Sequence, residues 1–492
     1  MSSRNKTFIA VLLLSLLTAL LFGCTEAPII DPNADILEIT QVVTADDIAQ
    51  LDQYKNLETA DLRGSSCYEQ ILDYIEAHPD VDVRYDVEIC SSRCENTAVS
   101  LEILPCETDA EDLMEKLVYL PSVKEVSLPD TVLSLQQIDA LKEAYPHVLF
   151  SYTVVIADCK FSPEDTSLDL SGLTAEQVDE AIGKLDLLPG AAEANLMKAD
   201  GTCSLSIQDV KKLQDAAPRI FFHYSFDLFG KTVSTADEVI EYDEVNIGNE
   251  GETAIRDALD ILKNCRYIKF DDCGIDSTVM AGIRDDYPDV KVVWRIHVGK
   301  YSLLTDETMM RLTFVLENDN VSELKYCTDI VYMDVGHNDW LSDFSFISYM
   351  PNLECAIVSG SCINDLSVFE NCRNLVWLEM CYCGHTKDLS PLKGLKNLKY
   401  LNISYTSISD VTPLDEAPLE RFVCLGIGLS GEERNAFTEK HPECLFVYKG
   451  RQPFGYGWRY NDQGSTYFEY YANMREIFRY ADKDFTGNTK EK

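Results

Sequence analysis

Residues 398–406 read LKYLNISYT, and residues 375–383 before them read LVWLEMCYC, with apolar residues at the same places. Counted from Leu398 and from Leu375, the first, fourth and sixth residues of each stretch are apolar. Alternating apolar residues of this kind predict a short β-strand with one buried face. The pattern also starts at Ile330, Leu353 and Leu419, so successive starts are 23, 22, 23 and 21 residues apart. Such a period indicates a stack of similar units that share one core.

A small polar residue marks the eighth position after most of these starts: Asn338, Ser361, Cys383 and Thr406. With the L-x-x-L-x-L pattern before it, this position resembles the bacterial internalin-type leucine-rich repeats. The resemblance implies an α/β solenoid, with a curved parallel sheet on one side and helices or irregular segments on the convex side. It also implies that the four small residues form a buried ladder that satisfies backbone groups in the turns.

A longer repeat, marked by prolines, fills residues 35–300. Four prolines, 67, 72 and 70 residues apart, each follow a helix-like stretch and precede alternating apolar residues: Pro79, Pro146, Pro218 and Pro288. Since proline cannot continue the helical hydrogen-bond ladder, we expect each helix to end there. Each period is predicted to hold two strand–helix pairs and a longer strand, similar to the longer, helical type of leucine-rich repeat.

Four capping boxes predict where helices begin. In this motif a Ser or Thr caps the first turn and a Glu or Gln three residues later caps the Ser or Thr in return. The predicted pairs are Thr108 with Glu111, Ser134 with Gln137, Thr174 with Gln177, and Ser430 with Glu433.

The repeats divide the chain into predicted segments. Short leucine-rich repeats fill 301–429, and 430–492 is a capping helix, a strand and an aromatic tail with a helix around Tyr467 to Phe478.

Before the repeats, 1–23 is predicted to be a signal peptide and 24–34 a tether. Arg4 and Lys6 precede an uncharged run that ends at Cys24, which resembles the lipidated cysteine of bacterial lipoproteins. A signal cut elsewhere, or an uncleaved anchor, is the alternative.

The formal charge is −41, from 83 acidic and 42 basic residues. This charge repels phosphate backbones and excludes a nucleic-acid partner. It indicates either solubility for a large surface or a cationic ligand.

The cysteines do not have the spacing of a disulfide scaffold. Cys90 and Cys94 are the best candidates for a local disulfide, and the remaining cysteines are expected to be small buried residues.

Cys381, Cys383 and His385 are three potential zinc ligands at alternate positions. A tetrahedral site needs a fourth ligand and a turn on which the ligands converge. The register instead predicts that Cys383 lies in the buried ladder, that His385 is buried at the position of Ile363 and Ile408, and that Cys381 points outward. We therefore expect no metal, cofactor or catalytic residue.

The outward positions of the short repeats predict a ligand-binding surface on the concave face, because exposed aromatic rings on neighbouring strands are typical of binding hot spots. The alternative is that the C-terminal tail covers them. The predicted binding residues are Tyr332, Asp334, Cys355, Trp377, Glu379, Tyr382, Tyr400, Asn402 and Tyr405.

The sequence thus predicts a lipid-anchored recognition protein on the extracellular face of a bacterial membrane, which binds a protein or a glycan. A cell-envelope enzyme or enzyme accessory domain is the alternative, and a solute-binding lipoprotein is the third possibility. No sequence motif of a hydrolase, a phosphate-binding loop or a calcium loop supports an enzyme.

Overall fold

The computed structural model describes residues 9–12, 33–39, 43–461 and 465–482, and the side chains of 9–12, 38 and 39 are not described. The predicted lipidation residue Cys24 lies outside the described residues. The chain divides into two compact units, residues 1–225 and 226–492. That division falls inside the region predicted as long repeats, and the predicted boundaries at 300 and 429 stay a prediction. Among the described residues, no helix has both the length and the apolar character needed to cross a bilayer.

The first unit alternates short strands with helices. Its strands are β1 (Ile9–Leu12), β2 (Ile36–Ile39), β3 (Thr59–Asp61), β4 (Asp82–Arg84), β5 (Asp86–Ile89), β6 (Ser92–Glu95), β7 (Ser100–Glu102), β8 (Glu125–Leu128), β9 (Leu149–Tyr152), β10 (Val154–Ile156), β11 (Cys159–Phe161), β12 (Ser167–Asp169), β13 (Glu193–Asn195) and β14 (Phe221–His223). Its helices are α1 (Ala45–Ala49), α2 (Tyr68–Ala77), α3 (Ala110–Lys116), α4 (Leu135–Ala144), α5 (Val178–Leu185) and α6 (Ile207–Ala216), with 3-10 turns at Leu51–Gln53, Leu117–Tyr119 and Ala175–Gln177.

The second unit carries both kinds of strand connection. Its strands are β15 (Ser225–Leu228), which begins at the last residue of the first unit, β16 (Lys231–Ser234), β17 (Val239–Asp243), β18 (Tyr267–Asp271), β19 (Lys291–Val298), β20 (Tyr301–Leu304), β21 (Met309–Arg311), β22 (Tyr332–Asp334), β23 (Cys355–Ile357), β24 (Trp377–Glu379), β25 (Tyr400–Asn402), β26 (Arg421–Val423) and β27 (Leu445–Val447). Its helices are α7 (Glu252–Ile261), α8 (Ser277–Asp286), α9 (Gly431–Lys440) and α10 (Glu469–Ile477), with 3-10 turns at Asn249–Gly251, Ser322–Tyr326, Ser345–Tyr349, Ser367–Phe369, Ser390–Gly394 and Thr412–Leu414.

Three parallel strands joined by helices, followed by a hairpin, form a module that recurs along the chain. Strands β7, β8 and β9 pair in parallel in this way, as do β12, β13 and β14, and then β17, β18 and β19. An antiparallel hairpin follows at β10–β11, β15 and β16 form a two-stranded sheet, and β20 pairs antiparallel with the end of β19.

Each predicted proline stop is confirmed. Helices α2, α4, α6, α8 and α9 all end two residues before a proline. The residue between helix and proline has φ between −121° and −130° and ψ between 64° and 67° in all five cases. This non-helical geometry is expected, because the proline ring disfavours the helical region for the residue before it.

Of the predicted capping boxes, those at Ser134, Thr174 and Ser430 are present. The one at Thr108 is wrong: Asp109 caps α3 by accepting from the backbone of Glu111 and Asp112, and the Thr108 hydroxyl donates to the Leu104 carbonyl. An Asp side chain is as good a cap as Thr, so the start of the helix moves by one residue.

Strands β21 to β27 form one parallel seven-stranded sheet, and this sheet confirms the short repeat. Tyr332, Cys355, Trp377 and Tyr400 are paired in that order across successive strands, as predicted. From β21 to β26, the central residue of each strand and the residue two positions later point inward, are at most 1% exposed, and form one continuous core. The structure is therefore a mixed α/β leucine-rich-repeat solenoid.

The buried ladder is also confirmed. The Asn338 amide donates to the carbonyls of Leu312 and Val335, and the Ser361 and Thr406 hydroxyls donate to carbonyls three residues back. Cys383 is fully buried, with its sulfur 3.3 Å from the Val358 carbonyl oxygen.

Cys90 and Cys94, the candidates for a local disulfide, are not bonded to each other. Both thiols are unpaired, as are those of the other cysteines in the described part of the chain. Cys94 lies in β6, and Cys90 lies in the β5–β6 turn with its sulfur 3.6 Å from the Asp109 carbonyl oxygen. The two side chains therefore have different neighbours.

Candidate functional site

The outward face of the seven-stranded sheet is covered by the end of the chain. We call residues 453–461 and 465–480 the covering segment. Its Trp458, Tyr471, Met474 and Phe478 form a second core with the outward residues of the strands. This core lies on the side of the sheet opposite the repeat core. The alternative in which the tail covers the concave face is therefore the one that the structure supports.

The predicted exposure of the concave face is wrong for most of its residues. Cys355, Trp377, Glu379 and Asn402 are fully buried, and Asp334 and Tyr400 are 5% and 7% exposed. Tyr332 and Tyr405 are half-buried, while Tyr382 is 52% exposed. The side chains point out of the repeat core as predicted, but aromatic rings of the covering segment lie over them.

Trp377 is at the centre of this second core. Its ring lies 3.9 Å from that of Trp458 and 5.6 Å from those of Tyr400 and Tyr470, measured between centroids. Cys355 lies beside it, with its sulfur 3.8 Å from that of Met474. A ring packed on several sides contributes to stability through the apolar area that it removes from water.

Glu379 forms a buried ion pair with the covering segment. The Arg459 guanidinium donates to both carboxylate oxygens of Glu379, at 2.7 and 3.2 Å. The Trp458 indole and the Ser359 hydroxyl donate to the same carboxylate. Burial works against the charged guanidinium, but the carboxylate more than offsets it, so the pKa of Arg459 lies above its ordinary value. The guanidinium therefore stays charged, and its bonds to Glu379 fix the segment to β24.

Asp334 and Asn402 make two further polar contacts with the covering segment. The Tyr480 hydroxyl donates to Asp334, and the Asn402 amide donates to the Pro453 carbonyl at 2.9 Å. Burial raises the pKa of Asp334, although the Tyr480 hydroxyl acts in the opposite direction. These residues therefore anchor the tail in the structure.

Of the three potential zinc ligands, Cys383 is placed as predicted and His385 is not. His385 is exposed, and Thr386 takes the buried position equivalent to Ile363 and Ile408. Cys381 is on the outward side of the strand, as predicted, but it is buried near Glu379 and Arg459. Burial raises the pKa of both thiols, which disfavours the thiolate that zinc binds.

A row of residues at the carboxyl ends of the strands is only partly covered: Phe314, His337 and Tyr382 are exposed, whereas Tyr405 is half-buried against the second core. We call this row the edge column, and its members, seven residues after successive repeat starts, are Phe314, His337, Gly360, Tyr382, Tyr405 and Gly426. All six have positive φ, between 59° and 74°. From His337 to Tyr405, each backbone N–H donates to a carbonyl of the next coil, at 2.7 to 2.9 Å. Successive residues of the column are therefore spaced like the neighbouring strands of the sheet.

The rings of the edge column stack in two pairs. Phe314 and His337 have centroids 4.8 Å apart and an interplanar angle of 3°. Tyr382 and Tyr405 repeat this geometry, at 4.8 Å and 4°. Phe314 is 72% exposed, so the column presents ring faces and edges to solvent. Bulky residues with positive φ are strained, and such strain is concentrated at functional positions in proteins.

A cleft of about 290 Å³ adjoins the column on the side of the covering segment. It is lined by Phe314 and His337 from the column and by charged groups of both signs, among them Asp334, Arg459 and Arg475. Such a cleft offers hydrogen-bond donors and acceptors beside the exposed rings.

A larger cleft, of about 380 Å³, lies near Pro288, and most of its charged groups have partners within the protein, as Asp334 and Arg459 of the smaller cleft also do. Lys291 pairs with Asp329 at 2.7 Å, and the Arg284 guanidinium donates to the Tyr326 carbonyl at 3.0 Å. It carries no row of exposed rings, and we take the edge column and its cleft as the candidate ligand-binding site.

Solved structures similar to this chain are leucine-rich-repeat proteins. An internalin from Listeria monocytogenes is 14% identical over 85% of this chain and 87% of its own, with a TM-score of 0.23. A leucine-rich-repeat protein from Leptospira interrogans is 14% identical over 83% and 93%, with a TM-score of 0.24. The functional domain of another Listeria monocytogenes internalin, which includes a cysteine ladder, is 10% identical over 81% and 64%, with a TM-score of 0.18. No protein-family model and no curated protein matches the chain.

The sequence identified Tyr382 and Tyr405 but not the other four residues of the edge column. The missed residues are Phe314, His337, Gly360 and Gly426. Their signal is the shared position seven residues after each start, where Gly360 and Gly426 could have indicated positive φ.

Proposed function

We propose that this protein is a recognition protein of the bacterial cell surface that binds a protein or a glycan through the edge column and its adjoining cleft. The observation that carries the proposal is the stacked and exposed aromatic rings at the edge of an otherwise covered sheet. Exposed tyrosine and histidine rings held by a rigid sheet lose little conformational freedom when a partner packs on them. The lipid on Cys24 would hold the protein at the extracellular face of the membrane.

The proposal moves the contact surface from the sheet face to its edge. Among the predicted binding residues, Tyr382 and Tyr405 keep that role. Trp377, Cys355 and Tyr400 would reach a partner only if the covering segment moved away. Their role as contact residues is not part of the proposal.

Tyr382→Ser tests the binding role of the edge column. Immobilised protein is incubated with solubilised native cell envelopes, and the bound component is quantified. We expect the variant to recover at least about tenfold less than the parent, because one exposed ring at a binding hot spot contributes about 2 kcal/mol. The fold should be unaffected, since Tyr382 is 52% exposed.

Tyr349→Ser is the matched control. Tyr349 is 54% exposed but lies in a 3-10 turn between two strands of the sheet, away from the edge column. It should recover as much component as the parent. Equal recovery by Tyr382→Ser and the parent, or equal loss in both variants, would contradict the proposal.

Cys24→Ala tests the lipid anchor. The thioether to diacylglycerol needs the cysteine sulfur, so the variant should appear in the soluble fraction or remain as an unprocessed precursor. Fractionation and mass spectrometry of the mature N-terminus measure this. Processing and membrane retention equal to those of the parent would show that the protein is anchored in another way.

A further inference from the structure

The edge column has a gap at Gly360. Its ring-bearing residues on either side are His337 and Tyr382, which are two strands apart. The Phe314–His337 pair ends on one side of the gap, and the Tyr382–Tyr405 pair begins on the other. A ring on residue 360 would continue the stack, but glycine leaves that place open.

The distance between neighbouring strands of the sheet sets the width of the gap. Strands are about 4.8 Å apart, so two ring-bearing positions separated by one strand are about 9.6 Å apart. An offset flat ring fills this width, since the ring pairs of the column have centroids 4.8 Å apart. A pyranose chair, with hydrogens on both faces, also contacts His337 and Tyr382 together. The polar groups at the gap distinguish the two kinds of ring.

Polar groups at the gap also match the rim of a sugar. A Cβ placed on Gly360 would lie 3.5 Å from Nδ1 of His337 and 3.7 Å from a carboxylate oxygen of Asp339. Among the hydrogen bonds and ion pairs of the described residues, none involves the His337 ring or the Asp339 carboxylate. Both groups can therefore bond to ring hydroxyls, whereas an aromatic side chain in the gap would desolvate them without replacing those bonds.

We propose that the gap at Gly360 is a subsite for one pyranose ring of a glycan, stacked between His337 and Tyr382 and hydrogen-bonded through its hydroxyls to Asp339. The proposal rests on the proposed function and narrows its ligand to a glycan. The adjoining cleft, which His337 also lines, would hold the neighbouring sugar unit.

Gly360→Tyr tests this by completing the stack with the protein's own ring. The position can hold a side chain, since four other residues of the column are not glycine and adopt similar φ values. A Cβ there meets only ordinary contacts. Gly360→Ala carries the same backbone strain but no ring, so it is the matched control for Gly360→Tyr.

The probes are cellotetraose, maltotetraose, mannotetraose and tetraacetylchitotetraose, with the peptides Gly-Phe-Gly and Gly-Arg-Gly as the protein-like alternatives. Saturation-transfer NMR with the purified full chain identifies which probe binds, and titration gives its affinity. We expect saturation of the ring protons of at least one tetrasaccharide. We expect Gly360→Tyr to bind it at least about tenfold more weakly than Gly360→Ala, at similar thermal stability.

The proposal is overturned if no tetrasaccharide binds, if only a peptide binds, or if the two variants bind equally. These failures are distinguishable from failure of the proposed function. If Tyr382→Ser still loses its cell-envelope component in such a case, the edge column binds something other than a pyranose. If Tyr382→Ser loses nothing, the proposed function itself is wrong.

Discussion

Trp377→Ala is expected to lower the free energy of unfolding by about 3–5 kcal/mol, the range found when a fully buried large aromatic residue is truncated. The structure gives the reason, since Trp377 is not exposed at all and packs on Trp458 with centroids 3.9 Å apart. Removing the indole would leave a cavity between the sheet and the covering segment. Urea unfolding followed by circular dichroism measures the change.

Trp340→Ala is the matched control, because Trp340 is 85% exposed. Its effect should be within about 0.5 kcal/mol of zero. If Trp377→Ala lowers the free energy of unfolding no more than this control, the covering segment is not packed on the sheet face. The sheet face would then be exposed, as the sequence predicts.

Arg459→Met is the second variant with a large expected effect, about 3–5 kcal/mol of destabilisation. The loss arises because the Glu379 carboxylate, which is fully buried, loses its guanidinium partner without regaining water. Urea unfolding again measures it, at neutral pH, where the carboxylate is ionised in the unfolded chain.

The double variant Glu379→Gln with Arg459→Met separates the lost charge pair from lost packing. Glutamine is neutral and can still accept from the Trp458 indole and the Ser359 hydroxyl. The double variant should therefore be more stable than Arg459→Met alone. A double variant that is no more stable than Arg459→Met would show that the uncompensated charge of Glu379 is not the cause.

The sequence predicted those strands and helix ends that depend on residues close together in the chain. Apolar periodicity identified β22 to β26, and the four prolines of the long repeat located the ends of four helices. It missed β21 because Glu307 stands where the repeat begins with an apolar residue. It also missed capping boxes at Thr44 and Ser206, where Asp replaces the Glu or Gln of the pattern.

The error at His385 also has a local cause. After the ladder residues Ser361 and Thr406, the next buried residue lies two positions further along the chain. After Asn338 and Cys383 it lies three positions further, so Thr386 is buried and His385 is not. A single repeat length therefore cannot place every residue of the turns.

The covered face could not be predicted from spacing. Glu379 and Arg459 are 80 residues apart, and no periodic pattern links them. An outward ring on a strand has the same sequence pattern whether a tail covers it or water does. Only the packed structure separates Tyr382, which is exposed, from Trp377, which is not.

Photo-crosslinking shows directly whether the partner contacts the edge column. Tyr382 and Tyr349 are replaced separately by p-benzoylphenylalanine, and each full-length protein is irradiated with native cell envelopes. The expected result is a covalent adduct from position 382 and none from position 349. An adduct from position 349 with none from position 382 would contradict the account, because contact would then be made outside the edge column.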